Sequence, residues 1–477
     1  MDSRTGVTVQ NWFGDIESRP TVVVRPRTVE ELVAVVTDAD RYPAPVRGVG
    51  SKHSTTPCAM AEGGTIVEMK AMNRIVEIRE DTVTAEAGAL YIDVAKALEA
   101  RGLQFYVNIE LGNLTMGAAA CTHTKDGSFP DEYGIVNSYA IAMKAVLPSG
   151  EILHVDESQP ELLKAMRTSF GLLGLVYEVT FRVKRLQAMA VQHRTVHLKD
   201  LDQALPPLKQ RPASIMYYLF PFENRLSVEL REYQAQGTPH ARPLWKIRNF
   251  AWKTISSTLG SAIRRFVPGK GVKDSLYGTI GGISVVLLGN LRADDTSPAD
   301  QMIRYPEDSD SSRYTFSIWA FPEAEWPRVL REYYVFCREH YQQHGYRCDM
   351  LNVGYRINQD RESLLSYTWD GIAMTIDPVS TAGPGWPEFL DAYNAFCSRN
   401  GGAPLFNQTA RITRPQVEKA FGARLDQFRA LQRQYDPSSR FVNEYFAELM
   451  ALPMAKGPVA APPSAGPSAP RTPAGRS

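Results

Sequence analysis

Several features that define other classes of protein are missing from this sequence. No run of apolar residues is as long as a membrane-spanning helix, which excludes an integral membrane protein. The five cysteines are widely spaced and include no CxxC pair, so neither a disulfide framework nor a zinc site is predicted. The formal net charge of +1 provides no overall field to attract nucleic acid. We therefore expect a small-molecule partner, no metal ion and no nucleic acid.

The start of the chain also lacks a targeting signal. The segment "MDSRTGVTVQNW" has neither the basic stretch nor the apolar core of a secretory signal. The cysteines are typical of reduced thiols, because nothing in their spacing indicates pairing. Both observations favour a cytoplasmic protein.

The order of strand and helix patterns predicts an α+β protein with two lobes. At 477 residues the chain is long enough to form two stable cores. Strand and helix patterns alternate up to "LVYEVTFRVKRL", and longer strands and helices follow. The end of the chain is rich in proline, alanine, glycine and serine, which predicts disorder. The predicted units are a first lobe at 1–186, a second lobe at 187–430, a C-terminal segment at 431–452 that closes on the first lobe, and a disordered tail at 453–477.

The stretch "VRGVGSKHST", residues 46–55, is the first candidate for a ligand-binding loop. Gly48 and Gly50 would let backbone N–H groups approach a pyrophosphate closely. A Rossmann fingerprint is not supported, because the third glycine and the following helix pattern are absent. The chain also contains no GxxxxGK[ST] loop. A surface turn is the alternative interpretation, but further glycine-containing stretches at 112–129 and 170–183 favour the binding loop.

Three ordered motifs resemble a known family. "VRGVGSKHS", "TMGAAACTHT" and "GLLGLVYEVTF" resemble the FAD-binding domain of the vanillyl-alcohol oxidase and p-cresol methylhydroxylase superfamily over most of residues 20–185. "DPSSRFVNEYF", residues 436–446, resembles the C-terminal closing segment of its sugar-lactone and alditol oxidase branch. The resemblance implies a two-lobed fold, in which an FAD-binding PCMH-type domain carries an α+β cap domain that binds the substrate.

The resemblance also implies the residues that surround FAD. The glycine loop would wrap the pyrophosphate and ribityl chain, the second motif would line them, and the third would approach the adenine. The implied cofactor-binding residues are Arg47, Gly48, Val49, Gly50, Ser51, Lys52, His53, Ser54, Thr115, Gly117, Cys121, Thr122, Gly174, Val176 and Asn443.

The histidine of the glycine loop is the most specific of these residues. In the oxidases of this family, the histidine before the serine is commonly joined covalently to the flavin, and His53 occupies that position. A neutral imidazole is a competent nucleophile, so a covalent link through His53 is expected. The alternative is a histidine that hydrogen-bonds the loop backbone. A second link through cysteine is not expected, because Asn113 stands at that position.

The residues that would act on the substrate are less clearly marked. The related branch has a Glu-x-Arg pair on a cap strand and a lysine near the C-terminal end, whereas "DMLNVGYRINQD" and "GGAPLFNQTARIT" contain neither. Their absence argues against a polyol or sugar-lactone substrate. It leaves Asn352, Tyr355 and Gln408 as catalytic candidates, each of which could equally be a structural strand residue.

Together these features predict an FAD-dependent oxidoreductase. Hydride would pass from a CH–OH or CH–NH carbon of a small or moderately hydrophobic substrate to the flavin, with molecular oxygen as the expected acceptor. A dehydrogenase with another acceptor or a lipid-linked substrate is the alternative. Residues 242–273 carry eight Lys or Arg and no acid on a helical apolar pattern, which allows weak contact with a membrane surface. A non-catalytic, membrane-surface or partner-binding protein on the same fold stays open, and no oligomeric state is predicted.

Overall fold

The structure is a computed structural model that describes residues 1–240, 243–307 and 313–455. Arg242, at the start of the predicted basic segment, lies outside the described residues, as does the predicted disordered tail from residue 456 onward. Among the residues described, no helix is both long enough and apolar enough to cross a bilayer. All five cysteines are free.

The first lobe begins with a small sheet that carries the glycine loop. In spatial order its strands are Asp2–Arg4, Val22–Arg25, Thr65–Glu68 and Val46–Val49. The last three are parallel, and the helix Val29–Thr37 packs its buried valines against them. The Thr28 hydroxyl accepts a hydrogen bond from the Glu31 amide and caps this helix.

A second sheet completes the lobe. In spatial order its strands are Ile152–Asp156, Ala140–Val146, Leu175–Arg185, Thr82–Glu86 and Ile75–Ile78, with Leu103–Phe105 also paired to Leu175–Arg185. The helices of this region are Tyr91–Glu99, Met116–Cys121 and Pro160–Met166. Neighbouring strands are antiparallel throughout. Strand partners change after Arg185, because the next strand pairs only within the second lobe.

The second lobe is built on one antiparallel sheet of eight strands. Their spatial order is Arg292–Thr296, Ala188–His197, Arg225–Gln234, Ser214–Phe220, Asn352–Ile357, Ala373–Ile376, Trp319–Pro322 and Ala403–Pro404. Alternate residues of Ser214–Phe220 belong to different clusters, as the twofold repeat of a strand requires. One cluster includes the helices Leu201–Lys209, Trp326–His344 and Trp386–Arg399. The other includes Val285 and Trp252.

The predicted basic helix is divided into two arms. Pro243–Phe250, a π-helical turn at Ala251–Ser256, and Ser257–Phe266 form the first arm. Gly269 has a positive φ of 78° and precedes the second arm, Lys270–Gly289. The helical pattern of the basic segment 242–273 therefore ends at this turn, and its last residues begin the second arm.

The C-terminal segment returns to the first lobe. Its helices are Arg414–Phe421, Ala423–Tyr435 and Glu444–Met450. Between the last two, the Arg440 guanidinium donates to the carbonyls of Val35, Val36 and Tyr42 at 2.6 to 2.9 Å. Arg440 thus fastens the end of the chain to the first helix. The remaining short elements are Val9–Gln10, Glu17–Ser18, Thr315–Phe316, Val379–Ser380 and the 3₁₀ turns Pro57–Ala59, Met69–Ala71, Val136–Tyr139, Leu198–Asp200 and Pro298–Gln301.

Candidate active site

A groove runs along the glycine loop, between the two sheets of the first lobe. It gathers most of the predicted cofactor residues from three distant stretches of the sequence. The predicted residues that line it are Arg47, Gly48, Val49, Gly50, Ser51, Lys52, His53, Ser54, Thr115, Gly117, Cys121, Thr122, Val176 and Gln408. Gly174 and Asn443 lie outside its lining.

Two glycines of the loop are required by close packing. A Cβ atom on Gly50 would stand 2.2 Å from the Thr115 hydroxyl oxygen, and one on Gly48 would stand 2.7 Å from Leu175. Between the loop and His53, Lys52 adopts a left-handed conformation with φ of 59°. Its carbonyl accepts a hydrogen bond from the Trp12 amide at 2.7 Å, which holds this turn. The loop backbone thus forms part of the groove wall, and backbone N–H groups of such a loop can bind an anion.

The groove also contains buried polar atoms without a protein partner. Among the described residues, Nε of Arg47, Oδ1 of Asn407 and Oε1 of Gln408 have no hydrogen bond. All three residues line the groove. Buried polar atoms are normally satisfied, so these atoms indicate a polar ligand. Glycine backbone, hydroxyls, Lys52 and amide oxygens together suit the phosphates, ribityl hydroxyls and ring edge of FAD.

Two predicted cofactor residues have structural roles around the groove. The Arg47 guanidinium donates to the carbonyls of Phe441, Cys58 and Phe170 at 2.6 to 2.7 Å, so it links the loop to the closing segment. The Asn443 amide group donates to the carbonyls of Pro57 and Met60, and its oxygen caps the helix Glu444–Met450. Asn443 therefore shapes the wall of the groove from outside it.

His53 lies at one end of the groove in an aromatic setting. Its ring is 4.7 Å from Trp12 and 6.3 Å from Tyr305, measured between centroids. Burial, with a smaller contribution from the charge of Lys70, lowers the pKa of His53 to about 3. The imidazole is therefore neutral at physiological pH, and a neutral imidazole has a nitrogen lone pair available as a nucleophile.

The three predicted catalytic residues are not brought together. Gln408 lines the groove, and Tyr355 packs in one cluster with Ile318 and Leu405. The Gln408 carbonyl accepts a hydrogen bond from the Ile318 amide, which links the cluster that contains Tyr355 to the lining of the groove. Burial raises the pKa of Tyr355 well above its usual value, so this tyrosine stays protonated.

Asn352 does not belong to this site. Its amide nitrogen donates to the Tyr333 hydroxyl at 2.9 Å, and its oxygen accepts from the Val379 amide at 3.2 Å. It also lines a different cavity, whose lining includes neither Tyr355 nor Gln408. The geometry does not support the predicted catalytic role of Asn352, because its amide is used in the sheet.

A buried ion pair that the sequence did not reveal lies beside Tyr355. Lys125 Nζ is 2.8 Å from Oδ2 of Asp377 and 3.6 Å from the centroid of the Tyr355 ring. The two charged side chains are only 4% and 2% exposed. Lys125 follows the groove residue Thr122 by three positions. The only signal in the sequence was a lysine directly after the "CTHT" motif.

A Glu-x-Arg pair is also present, on a different cap strand from the one on which the sequence analysis expected it. It lies on the cap strand Arg225–Gln234, where Glu229 and Arg231 are buried and 2.6 Å apart. Arg231 also pairs with Asp126 of the first lobe at 2.8 Å. Two charged residues at i and i+2 of an apolar strand face the same side, and this spacing could have identified the pair.

The groove and its surroundings define a class of protein, a two-domain flavoprotein with a cap over an FAD site. Residues 20–156 match the family model described as "FAD binding domain". L-gulonolactone oxidase of Bos taurus is 24% identical over 455 residues, which cover 93% of this chain and 98% of that protein. L-gulono-1,4-lactone dehydrogenase of Mycobacterium tuberculosis is 26% identical over 243 residues, which cover 50% of this chain and 54% of that one.

A solved structure shares the fold over nearly the whole chain. The structure of cholesterol oxidase from B. sterolicum superposes with a TM-score of 0.73 and covers 93% of this chain and 96% of its own. Its sequence identity is 17%, so this likeness concerns the fold alone. Residues 20–156 thus match an FAD-binding domain, and the chain is an FAD-dependent oxidoreductase acting on a small molecule.

Proposed function

We propose that the protein oxidises a secondary alcohol of an aldono-1,4-lactone, with Lys125 and Asp377 as the groups that handle the proton. The observation that carries this proposal is the buried Lys125–Asp377 pair beside Tyr355, whose cluster is joined to the groove by the hydrogen bond from the Ile318 amide to the Gln408 carbonyl. In the sequence, the absence of the related branch's Glu-x-Arg pair and lysine from the expected segments argued against a sugar-lactone substrate. The Lys125–Asp377 pair supplies a cation and a carboxylate from other segments of the chain, and the lactone enzymes among the relatives support the same substrate class.

Alcohol oxidation needs a group that accepts the hydroxyl proton. Burial lowers the pKa of Lys125 below its usual value, while the carboxylate of Asp377 opposes that shift. A lysine with a lowered pKa can take a proton when it is neutral. Asp377 then holds the ammonium that forms, which keeps the proton at Nζ away from the substrate.

The neighbouring residues would position the substrate. The unpartnered amide oxygens of Asn407 and Gln408 can accept hydrogen bonds from ligand hydroxyl or N–H groups. The Tyr355 ring beneath Lys125 fixes the ammonium by a cation–π contact and excludes water from that side. When bound, FAD supplies the hydride acceptor.

The proposal includes two finer points about the flavin. His53 is the site of a covalent link, since its imidazole is neutral and stands at the end of the groove. Molecular oxygen is the acceptor that regenerates the flavin, as the full-length match to an oxidase supports. A dehydrogenase with another acceptor is the second candidate, favoured by the half-length match to the lactone dehydrogenase.

Turnover of aldono-1,4-lactones tests the proposal. The wild type is assayed in an oxygen electrode and, without oxygen, with a dye acceptor. We expect oxygen uptake, and a Lys125→Met variant with kcat/KM lower by about a hundredfold or more. Lys184→Met is the matched control, because Lys184 also pairs with a partly buried carboxylate, Glu132, away from the groove. Dye reduction without oxygen uptake would identify a dehydrogenase, and equal effects of both variants would refute the role of Lys125.

A further inference from the structure

The two helical arms expose an unusual amount of apolar surface. Of the 16 large hydrophobic side chains exposed in the described part of the chain, 10 lie between residues 243 and 289. They are Ile247, Phe250, Ile255, Leu259, Phe266, Val272, Leu276, Ile283, Val286 and Leu287. Exposed apolar residues are normally scattered, so a concentration of this kind marks an interaction surface. We refer to these ten side chains as the apolar surface.

The second arm exposes four side chains of the apolar surface along one stripe. Val272, Leu276, Ile283 and Leu287 are spaced so that they share one side of the helix Lys270–Gly289. Its other side is buried on the cap sheet through Gly281 and Val285. After residue 274 this helix contains no charged residue. A helix that is apolar on both sides is expected to bury its outer side in an apolar environment as well.

Positive charge accompanies the apolar surface. Residues 243–289 contain seven Lys or Arg and one acid, Asp274. Lys246, Arg265 and Lys270 are exposed, and each lies within two positions of an exposed apolar residue. The Arg265 guanidinium also lies 5.5 Å from the Phe266 ring centroid. Exposed cations beside exposed apolar side chains are complementary to the headgroups and acyl region of an anionic bilayer.

The arms also border two sites within the cap. Ile255, Leu259 and Leu287 are both exposed and part of the lining of a cavity of about 340 Å³ over the cap sheet. In the first arm, Arg248 donates to the Tyr218 hydroxyl at 3.1 Å and to Glu110 at 3.2 Å. The arms therefore connect the outer surface with the buried charges next to the groove.

We propose that the apolar surface docks on the interface of an anionic lipid bilayer. The arms lie flat on the bilayer, because one side of the second arm remains packed on the cap sheet and neither arm can span a membrane. Charge complementarity selects this partner over a second copy of the chain. Two copies that met through this surface would bring the same exposed cations together.

Co-sedimentation of the flavin-loaded full chain with vesicles tests this docking. We expect binding to phosphatidylcholine vesicles that contain phosphatidylglycerol, and little binding to phosphatidylcholine alone. Replacing three cations in Lys246→Gln/Arg265→Gln/Lys270→Gln is expected to lower the partition coefficient by about a hundredfold. The variant Phe266→Ser/Ile283→Ser/Leu287→Ser should also abolish sedimentation, because these side chains supply the insertion.

Matched controls distinguish docking from unfolding and from self-association. Val76→Ser/Ile152→Ser removes exposed apolar side chains from the first lobe and should leave sedimentation unchanged. The flavin spectrum of each variant reports whether the fold is intact. Equal binding by the wild type and both surface variants would overturn the proposal. It would also be overturned if light scattering without vesicles showed a dimer that the serine variant converts to a monomer.

Discussion

At the scale of single residues, the proposed chemistry depends on groups whose ionisation is set by burial. His53 and Lys125 are both displaced toward their neutral forms, the first at the end of the groove and the second beside Tyr355. Desolvation disfavours the charged form of a base, so the same physical cause prepares one residue as a nucleophile and the other as a proton acceptor.

The covalent role of His53 leads to a direct test. Acid precipitation of the wild type should leave the yellow colour in the pellet, because the proposed link bonds the flavin to the chain. In His53→Ala the flavin should be released into the supernatant. Colour in the supernatant of the wild type would disprove the covalent link while leaving the FAD site intact.

The Lys125–Asp377 pair predicts the pH dependence of catalysis. The neutral amine is the active form, so kcat/KM should rise with pH toward the pKa of Lys125. Asp377→Asn removes the carboxylate that favours the ammonium, which lowers this pKa further. The rise should therefore move to lower pH in Asp377→Asn, as measured from pH profiles of kcat/KM. A profile that stays in place or moves to higher pH would contradict the assignment.

His123 provides a separate test, through the pH dependence of the protein's stability. Its Nδ1 accepts from the Phe406 amide and its Nε2 donates to the Leu365 carbonyl, so the neutral ring is the form that fits. Burial lowers its pKa to about 3. The unfolded chain binds a proton below about pH 6.5 and the folded chain does not, so stability falls as pH falls between these values. His123 should therefore account for about 2 kcal/mol of the unfolding free energy that the wild type loses between pH 7 and pH 5, and His123→Gln should not lose this part. Urea unfolding at both pH values measures the difference, and an equal loss in wild type and variant would contradict this role of His123.

At the scale of elements, the groove motifs were predictable and the Lys125–Asp377 pair was not. Gly48, Gly50 and Thr115 belong to local patterns whose backbone demands appear in the sequence itself. Lys125 and Asp377 are 252 positions apart, and only the tertiary fold brings them together. The Glu229-x-Arg231 spacing was readable, but it lay on a different cap strand from the one expected to carry it.

The last helix predicts how the closing segment supports the groove. Asn443→Ala removes the cap of Glu444–Met450 and leaves the carbonyl of Met60 without its donor. We expect a loss of about 2 kcal/mol together with weaker flavin retention. Thr28→Ala removes a cap from a helix away from the groove, and should cost about 1 kcal/mol with no change in flavin content. Equal flavin retention in both variants would refute the supporting role of Asn443.

At the scale of the whole molecule, buried charges join the two lobes. Asp126 and Lys125 belong to the first lobe, whereas their partners Arg231 and Asp377 belong to the cap. These contacts place the cap sheet over the groove in a defined position. The sequence predicted two lobes, but the contacts that orient them depend on charges that no local pattern reveals.

A double-mutant cycle on Asp126 and Arg231 tests this coupling. Arg231→Met alone leaves two carboxylates buried without their cation, Asp126 and Glu229, and should cost about 3 to 5 kcal/mol in chemical unfolding. Adding Asp126→Asn removes one of the unpaired charges and should recover part of that loss. Strictly additive losses would show that the pair does not couple the lobes.

The most direct test of the account is reduction of the bound flavin by an aldono-1,4-lactone in the absence of oxygen. The account predicts that the visible absorbance of the flavin in the wild type bleaches on addition of the lactone. In Lys125→Met the same flavin should bleach about a hundredfold more slowly. A wild-type flavin that no aldonolactone bleaches, or a Lys125→Met variant that reacts at the wild-type rate, would contradict it.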